Sequence, residues 1–143
     1  AVGLVQLKNL KKFLQIRKNI SNIYDRTIKK FTFFKLQKYS RNLKPSYHLY
    51  SFYLKKNNFF NRVEFIKKIE KEYNVFLTNR YWPIHMHPIL KMNKHKIGEA
   101  KNFEKIYFNE QIDLPISATM TVEEAKELMR RFENCVKSLI IKS

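Results

Sequence analysis

The chain has 143 residues, a formal net charge of +17, 44% hydrophobic and 15% aromatic residues, and a single cysteine. One domain with a real core fits that length and composition, so a chain disordered by composition is excluded. No apolar run approaches the ~18 residues of a bilayer-spanning helix, and a lone Cys135 excludes a disulfide framework and a Cys-rich zinc site, which makes a reducing cytoplasm the expected compartment.

The first stretch, Ala1 to about Lys30, has apolar residues at Leu4, Leu7, Leu10, Phe13, Leu14, Ile16, Ile20, Ile23, Tyr24 and Ile28. Most gaps are three or four residues, which predicts one long amphipathic helix. It opens on Ala1, Val2, Leu4 and Val5 with no capping residue ahead of them, and the expectation is that the chain is the back part of a longer protein. Phe31 to Gln37 reads as a short aromatic strand, and Lys38 to Pro45 as a loop. Ser46 to Leu54 is the best strand; both of its faces are mostly apolar, so it is expected to be central and covered on both sides.

Arg62 to Tyr73 carries Val63, Ile66, Ile69 and Tyr73 at helical spacing, with Asn61 and Glu64 placed as a capping box. Val75 to Leu77 reads as a short buried strand. Thr78 to Met92 is irregular, and Asn93 to Gly98 is a loop. Glu99 to Asn109 is a helix expected to turn Phe103, Ile106 and Tyr107 inward. Gln111 to Leu114 is extended and stopped by Pro115. Thr121 and Glu124 open the last helix, Thr121 to Leu139, with Val122, Ala125, Leu128, Met129, Phe132 and Val136 as its buried stripe. The order predicts an α+β fold: a small antiparallel or mixed sheet packed with helices and led by the long first helix.

Chemistry-bearing residues concentrate in Arg80 to Pro88, RYWPIHMHP. Its prolines stiffen the loop. Arg80 can clamp a phosphate or carboxylate, Tyr81 and Trp82 can stack on a ring, and His85 and His87 can hydrogen-bond or carry protons. These five are the candidate substrate-binding residues. A histidine pair at i, i+2 can also hold a metal, but no third ligand cluster accompanies it, and no metal site is expected. Trp82 could equally cover a sheet edge. No catalytic set emerges: the only glycines are Gly3 and Gly98, so there is no phosphate loop, and Asp113 stands alone.

Ala1, Gly3, Gln6, Leu7, Arg17 and Tyr24, then Tyr47 to Tyr50, then Pro83-Ile84-His85 with Pro88, then Leu114-Pro115 and Thr121, Glu123, Glu124 form an ordered series over essentially all of the chain. In that series the chain resembles the C-terminal part of the DegT/DnrJ/StrS family of PLP-dependent sugar aminotransferases. It departs from the family in having Tyr73 and Asn74 where a glycine is usual, and the approach Thr78 to Trp82 does not align residue by residue, which leaves the role of Arg80 open. The resemblance implies the small domain of a fold-type I aminotransferase, spanning 1–143, with the large PLP-binding domain absent from this chain. It implies amino transfer, usually from glutamate, to a keto sugar on a nucleotide diphosphate, by a homodimer with active sites at the subunit interface. The chain lacks the family's Schiff-base lysine motif, so it is expected to be inactive alone, to bind no PLP by itself, and to close one wall of the substrate site.

Two other readings remain at this point. The net charge of +17 and the aromatics suit a basic nucleic-acid-binding domain. The lysines are dispersed from Lys8 to Lys142, however, which is the pattern of a solvated surface. A non-catalytic structural or regulatory small domain is the other. No membrane partner is expected.

Overall fold

The computed structural model describes residues 2–40, 42–77, 81–91 and 96–141. Helix α1 spans Val2–Ile28, strand β1 Phe34–Leu36, strand β2 Tyr50–Leu54 and helix α2 Arg62–Tyr73. A 3₁₀ turn at Ile84–Met86 and a short helix α3, Pro88–Lys91, follow. Helix α4 is Lys101–Asn109, strand β3 Gln111–Leu114 and helix α5 Val122–Ile141. The fold is α+β, as the order of elements predicts. The sheet is antiparallel throughout, in the order β1-β2-β3, so β2 is central.

Alternation along the strands decides what each sheet face does. Phe34, Tyr50, Phe52, Leu54, Ile112 and Leu114 lie on one face and join Ile20, Tyr24 and Ile28 of α1, Phe65 and Ile69 of α2, and Met129, Phe132 and Val136 of α5 in a single core. α5 packs against both α1 and α2. The other face carries Lys35, Ser51, Tyr53, Gln111 and Asp113. Ser51 and Tyr53 are half-buried there, so β2 is fully covered on one face and only partly on the other, where its apolar content had suggested cover on both.

Helix starts follow the sequence closely. Asn61 Oδ1 accepts from Glu64 N at 3.0 Å while Glu64 Oε2 accepts from Asn61 N at 2.8 Å. Thr121 and Glu124 repeat the exchange at 3.1 and 2.8 Å ahead of α5. Each pair satisfies helix-end donors that have no partner within the helix.

Strand ends follow it less well. β2 begins at Tyr50 and not at Ser46, because Tyr47 takes φ 50°, a left-handed conformation that no strand tolerates. Val75 to Leu77 forms no strand. Val75 is buried, but its N–H donates to Ile69 O at 3.2 Å and closes the end of α2. Phe103, Ile106 and Val122, all read as inward, are 48%, 37% and 37% exposed.

Asn74 explains the missing family glycine. It sits just past α2 at φ 52°, ψ 42°, the left-handed position that glycine usually fills. Asparagine is among the few other residues that enter this region readily. Asn74→Gly should therefore leave the urea midpoint unchanged or raised. Asn74→Val should lower stability by ~1–2 kcal/mol.

Cys135 is fully buried, and burial pushes its thiol pKa up to about 12. A thiol reagent at neutral pH should label it only after denaturant is added; fast labelling of the folded chain would contradict this packing.

Candidate functional site

The segment from Tyr81 to Lys91 is built around two plugs. Pro83 and Met86 are buried, and Met86 N donates to Pro83 O at 2.9 Å, closing the 3₁₀ turn. Proline's fixed φ, here −51°, suits the entry to such a turn. Trp82 lies edge-on to Tyr107 and Phe108 of α4, with ring centroids at 6.3 and 5.7 Å. It therefore packs on a helix and not on a sheet edge. Its indole N–H points to Met86 O at 3.4 Å.

The same turn separates the two histidines. His85 faces α4, and its Nε2 is 2.8 Å from Glu104 Oε1. His87 is exposed, with its backbone N–H spent on Ile84 O. The pair does not converge, and among the described residues no three His, Cys, Asp or Glu side chains come together as metal ligands. Tyr81 is 67% and Trp82 53% exposed, so both present ring surface to an incoming molecule. Arg80 lies outside the described residues, as does His95.

Glu104 is the residue that sequence reasoning missed. It is 8% exposed and accepts from the backbone N–H groups of Gly98, at 2.8 and 3.0 Å, and of Ala100, at 3.3 Å, besides meeting His85. Burial alone would raise its pKa, but the Gly98, His85 and Ala100 contacts outweigh it and hold the carboxyl below its ordinary range. The signal was present, though faint. Glu104, Tyr107 and Phe108 share one helix face, and Gly98, at φ 96°, makes the turn that brings its N–H back to the acid.

Asp113, which looked isolated, is also tied in. It is 4% exposed, accepts from Ser51 Oγ at 2.5 Å and receives the Gln111 amide at 3.1 and 3.2 Å. Arg62 donates from α2 to the carbonyls of Gln111 and Phe108, joining α2 to β3 and α4.

The DegT/DnrJ/EryC1/StrS aminotransferase family model matches residues 1–133. The chain belongs to this family. No curated protein matches it. Solved structures with the same fold include aminotransferase TlmJ from Streptoalloteichus hindustanus, at TM-score 0.79 and 19% identity, covering 96% of this chain and 36% of that one. The sugar aminotransferase CalS13 from Micromonospora echinospora gives 0.70 and 10%, covering 92% and 33%. Helicobacter pylori PseC, an aminotransferase involved in the biosynthesis of pseudoaminic acid, gives 0.66 and 23%, covering 95% and 36%. The family member described here thus spans about a third of the length of these structures.

Aminotransferases of this family use PLP, which needs a lysine amine, a carboxylate for the ring nitrogen and a cradle for the phosphate. The lysine side chains described are exposed, except Lys68, and that one pairs with Glu72 at 2.7 Å. The N–H of Gly98, a glycine at positive φ, is already held by Glu104. The residues described do not compose a PLP site.

Proposed function

We propose that the chain is the C-terminal small domain of a PLP-dependent nucleotide-sugar aminotransferase. A large domain outside the chain would supply the Schiff-base lysine and the cofactor. The whole enzyme would move an amino group, from glutamate, to a keto sugar on a nucleotide diphosphate, as a cytoplasmic homodimer with active sites at the subunit interface. The chain alone would be inactive.

The observation that carries this reading is the family match through residues 1–133 in a chain about a third as long as its structural relatives. The first helix supports it. Val2, Leu4, Val5, Leu7 and Leu10 are 44–76% exposed on α1, an apolar surface of the kind that marks an interaction site. Further along, Arg17 Nε is buried with no hydrogen-bond partner among the described residues. In this reading Tyr81, Trp82, His85 and His87, with Arg80, line one wall of the substrate site. The rings would stack on the nucleotide or sugar, and the arginine would meet the diphosphate.

The test is the intact mass and visible absorbance of the purified natural protein, followed by a glutamate-dependent amino-transfer assay on uridine- and thymidine-diphosphate keto sugars. A mass well above that of 143 residues, with bound PLP and turnover, would support the reading. A protein of this length that stays inert when combined with a PLP-bearing partner chain would sink it.

A further inference from the structure

We propose that Glu104 is a positioning residue: it fixes His85 with its proton on Nε2 and so presents Nδ1 as a hydrogen-bond acceptor for a sugar hydroxyl of the substrate. The placement of His85 at the substrate wall rests on the function proposed above; the control of its ring by Glu104 does not.

The argument starts with what Glu104 can be. Gly98 and Ala100 each aim a backbone N–H at its carboxyl oxygens. A backbone N–H can only donate, so those oxygens must accept. Ala100, the residue ahead of α4, gives the helix no side-chain cap, and Glu104 reaches back to do that work. The result is a carboxylate on a rigid mount, with Oε1 turned to His85 at 2.8 Å. An ionised carboxylate has no proton to give. The hydrogen bond to His85 therefore has one polarity, Nε2–H donating to Oε1.

That polarity decides the rest of the ring. In neutral imidazole, a proton on Nε2 leaves Nδ1 bare and able to accept. His85 is partly buried, with 15% of its side chain exposed. Among the described residues no hydrogen bond engages Nδ1, so the second ring nitrogen is unspent. Trp82 and Tyr81, three and four residues back in the same loop, are exposed rings. An acceptor there selects for O–H or N–H groups. It does not bind a phosphate oxygen, which needs a donor. His85 would thus read the sugar, while a cation is required for the diphosphate. His87, two residues on, has no comparable anchor among the described residues and is free to turn.

The experiment is a long-range ¹H–¹⁵N correlation spectrum of the histidine-labelled chain, wild type and Glu104→Gln, near neutral pH. The expected wild-type result is a protonated Nε2 and a bare Nδ1 for His85, with the two forms mixed in E104Q, whose amide can donate as well as accept. A proton on Nδ1, protons on both nitrogens, or an unchanged ring in E104Q would each overturn the proposal. Kinetics of the enzyme assembled with its cofactor-bearing domain, with a uridine-diphosphate keto-hexose as probe, supply the second readout. Presenting a bare Nδ1 in only part of the molecules raises the KM for the sugar nucleotide in inverse proportion to that fraction, about 2-fold for an even mixture in E104Q, with kcat and the KM for glutamate little changed. The expected spectra with an unchanged sugar-nucleotide KM would overturn the acceptor role and the placement of this loop at the substrate, leaving the control of the ring by Glu104 standing.

Discussion

Phe132→Ala is expected to lower unfolding free energy by ~3–5 kcal/mol, the usual range for emptying a phenylalanine site in a packed core. Phe132 is fully buried on α5. Its ring centroid lies 5.5 Å from Phe34, 5.7 Å from Phe52 and 5.4 Å from Phe65. It therefore touches β1, β2 and α2 from α5, and no single neighbour can move in to refill the space. Because a domain of this size is stable by only ~5–15 kcal/mol, the loss is a large fraction of the total. Urea denaturation followed by far-ultraviolet circular dichroism reads it directly. Phe103→Ala is the control. Phe103 is 48% exposed, so its removal should cost less than ~1 kcal/mol. Equal costs would mean that the assignment of inside and outside is wrong.

Above pH ~10 stability should fall steeply. Tyr24 and Tyr50 are buried and meet edge-on at 5.0 Å. Tyr24 donates to Pro115 O at 2.7 Å, and Tyr50 donates to Asp25 Oδ1 at 2.5 Å. Burial raises both phenol pKa values well above the ordinary one, and for Tyr50 the hydrogen bond and negative charge of Asp25 raise it further. The folded chain then keeps two protons that the unfolded chain releases from pH ~10 upward. Their contribution is intact below that pH and is lost as pH climbs toward the folded values. Each group contributes a slope of about 1.4 kcal/mol per pH unit once the unfolded chain is ionised, so the pair gives ~3. Urea midpoints measured between pH 9 and 11 test this. The Cys135 thiol, also held protonated by burial, adds to that slope, so Tyr24→Phe should remove only its own share of about 1.4 kcal/mol per pH unit, and a midpoint that stays flat over that range would refute the buried pairing.

Much of this architecture was legible because its signals are local. The capping pairs Asn61/Glu64 and Thr121/Glu124 need only a four-residue spacing, and both helices start where the pairs say. The ordered motifs from Ala1 to Glu124 were enough to suggest the family that the match over residues 1–133 shows. What escaped depends on partners far along the chain. The strand lost its first residues to the left-handed turn at Tyr47, which no apolar pattern reveals. Glu104 gives only a faint signal in the sequence because the groups that bury it, His85 and the N–H of Gly98, lie outside its helix. Of the loop residues, His85 and His87 read alike in the sequence, and a single 3₁₀ turn sends one inward and leaves the other outside.

The packing of α1 on α5 also sets a timetable for synthesis. The inner half of α1, with Ile20, Tyr24 and Ile28, finds its main helical partner in the last element of the fold. At ~5–20 residues per second, the ribosome takes on the order of 5–20 seconds to go from Ile28 to Val122. Through that interval a long helix waits with a greasy stripe uncovered, and β2 waits for β3 as well. Long-range closure of this kind slows folding. A nascent chain paused before α5 should be a good chaperone client, and one that has cleared it should not.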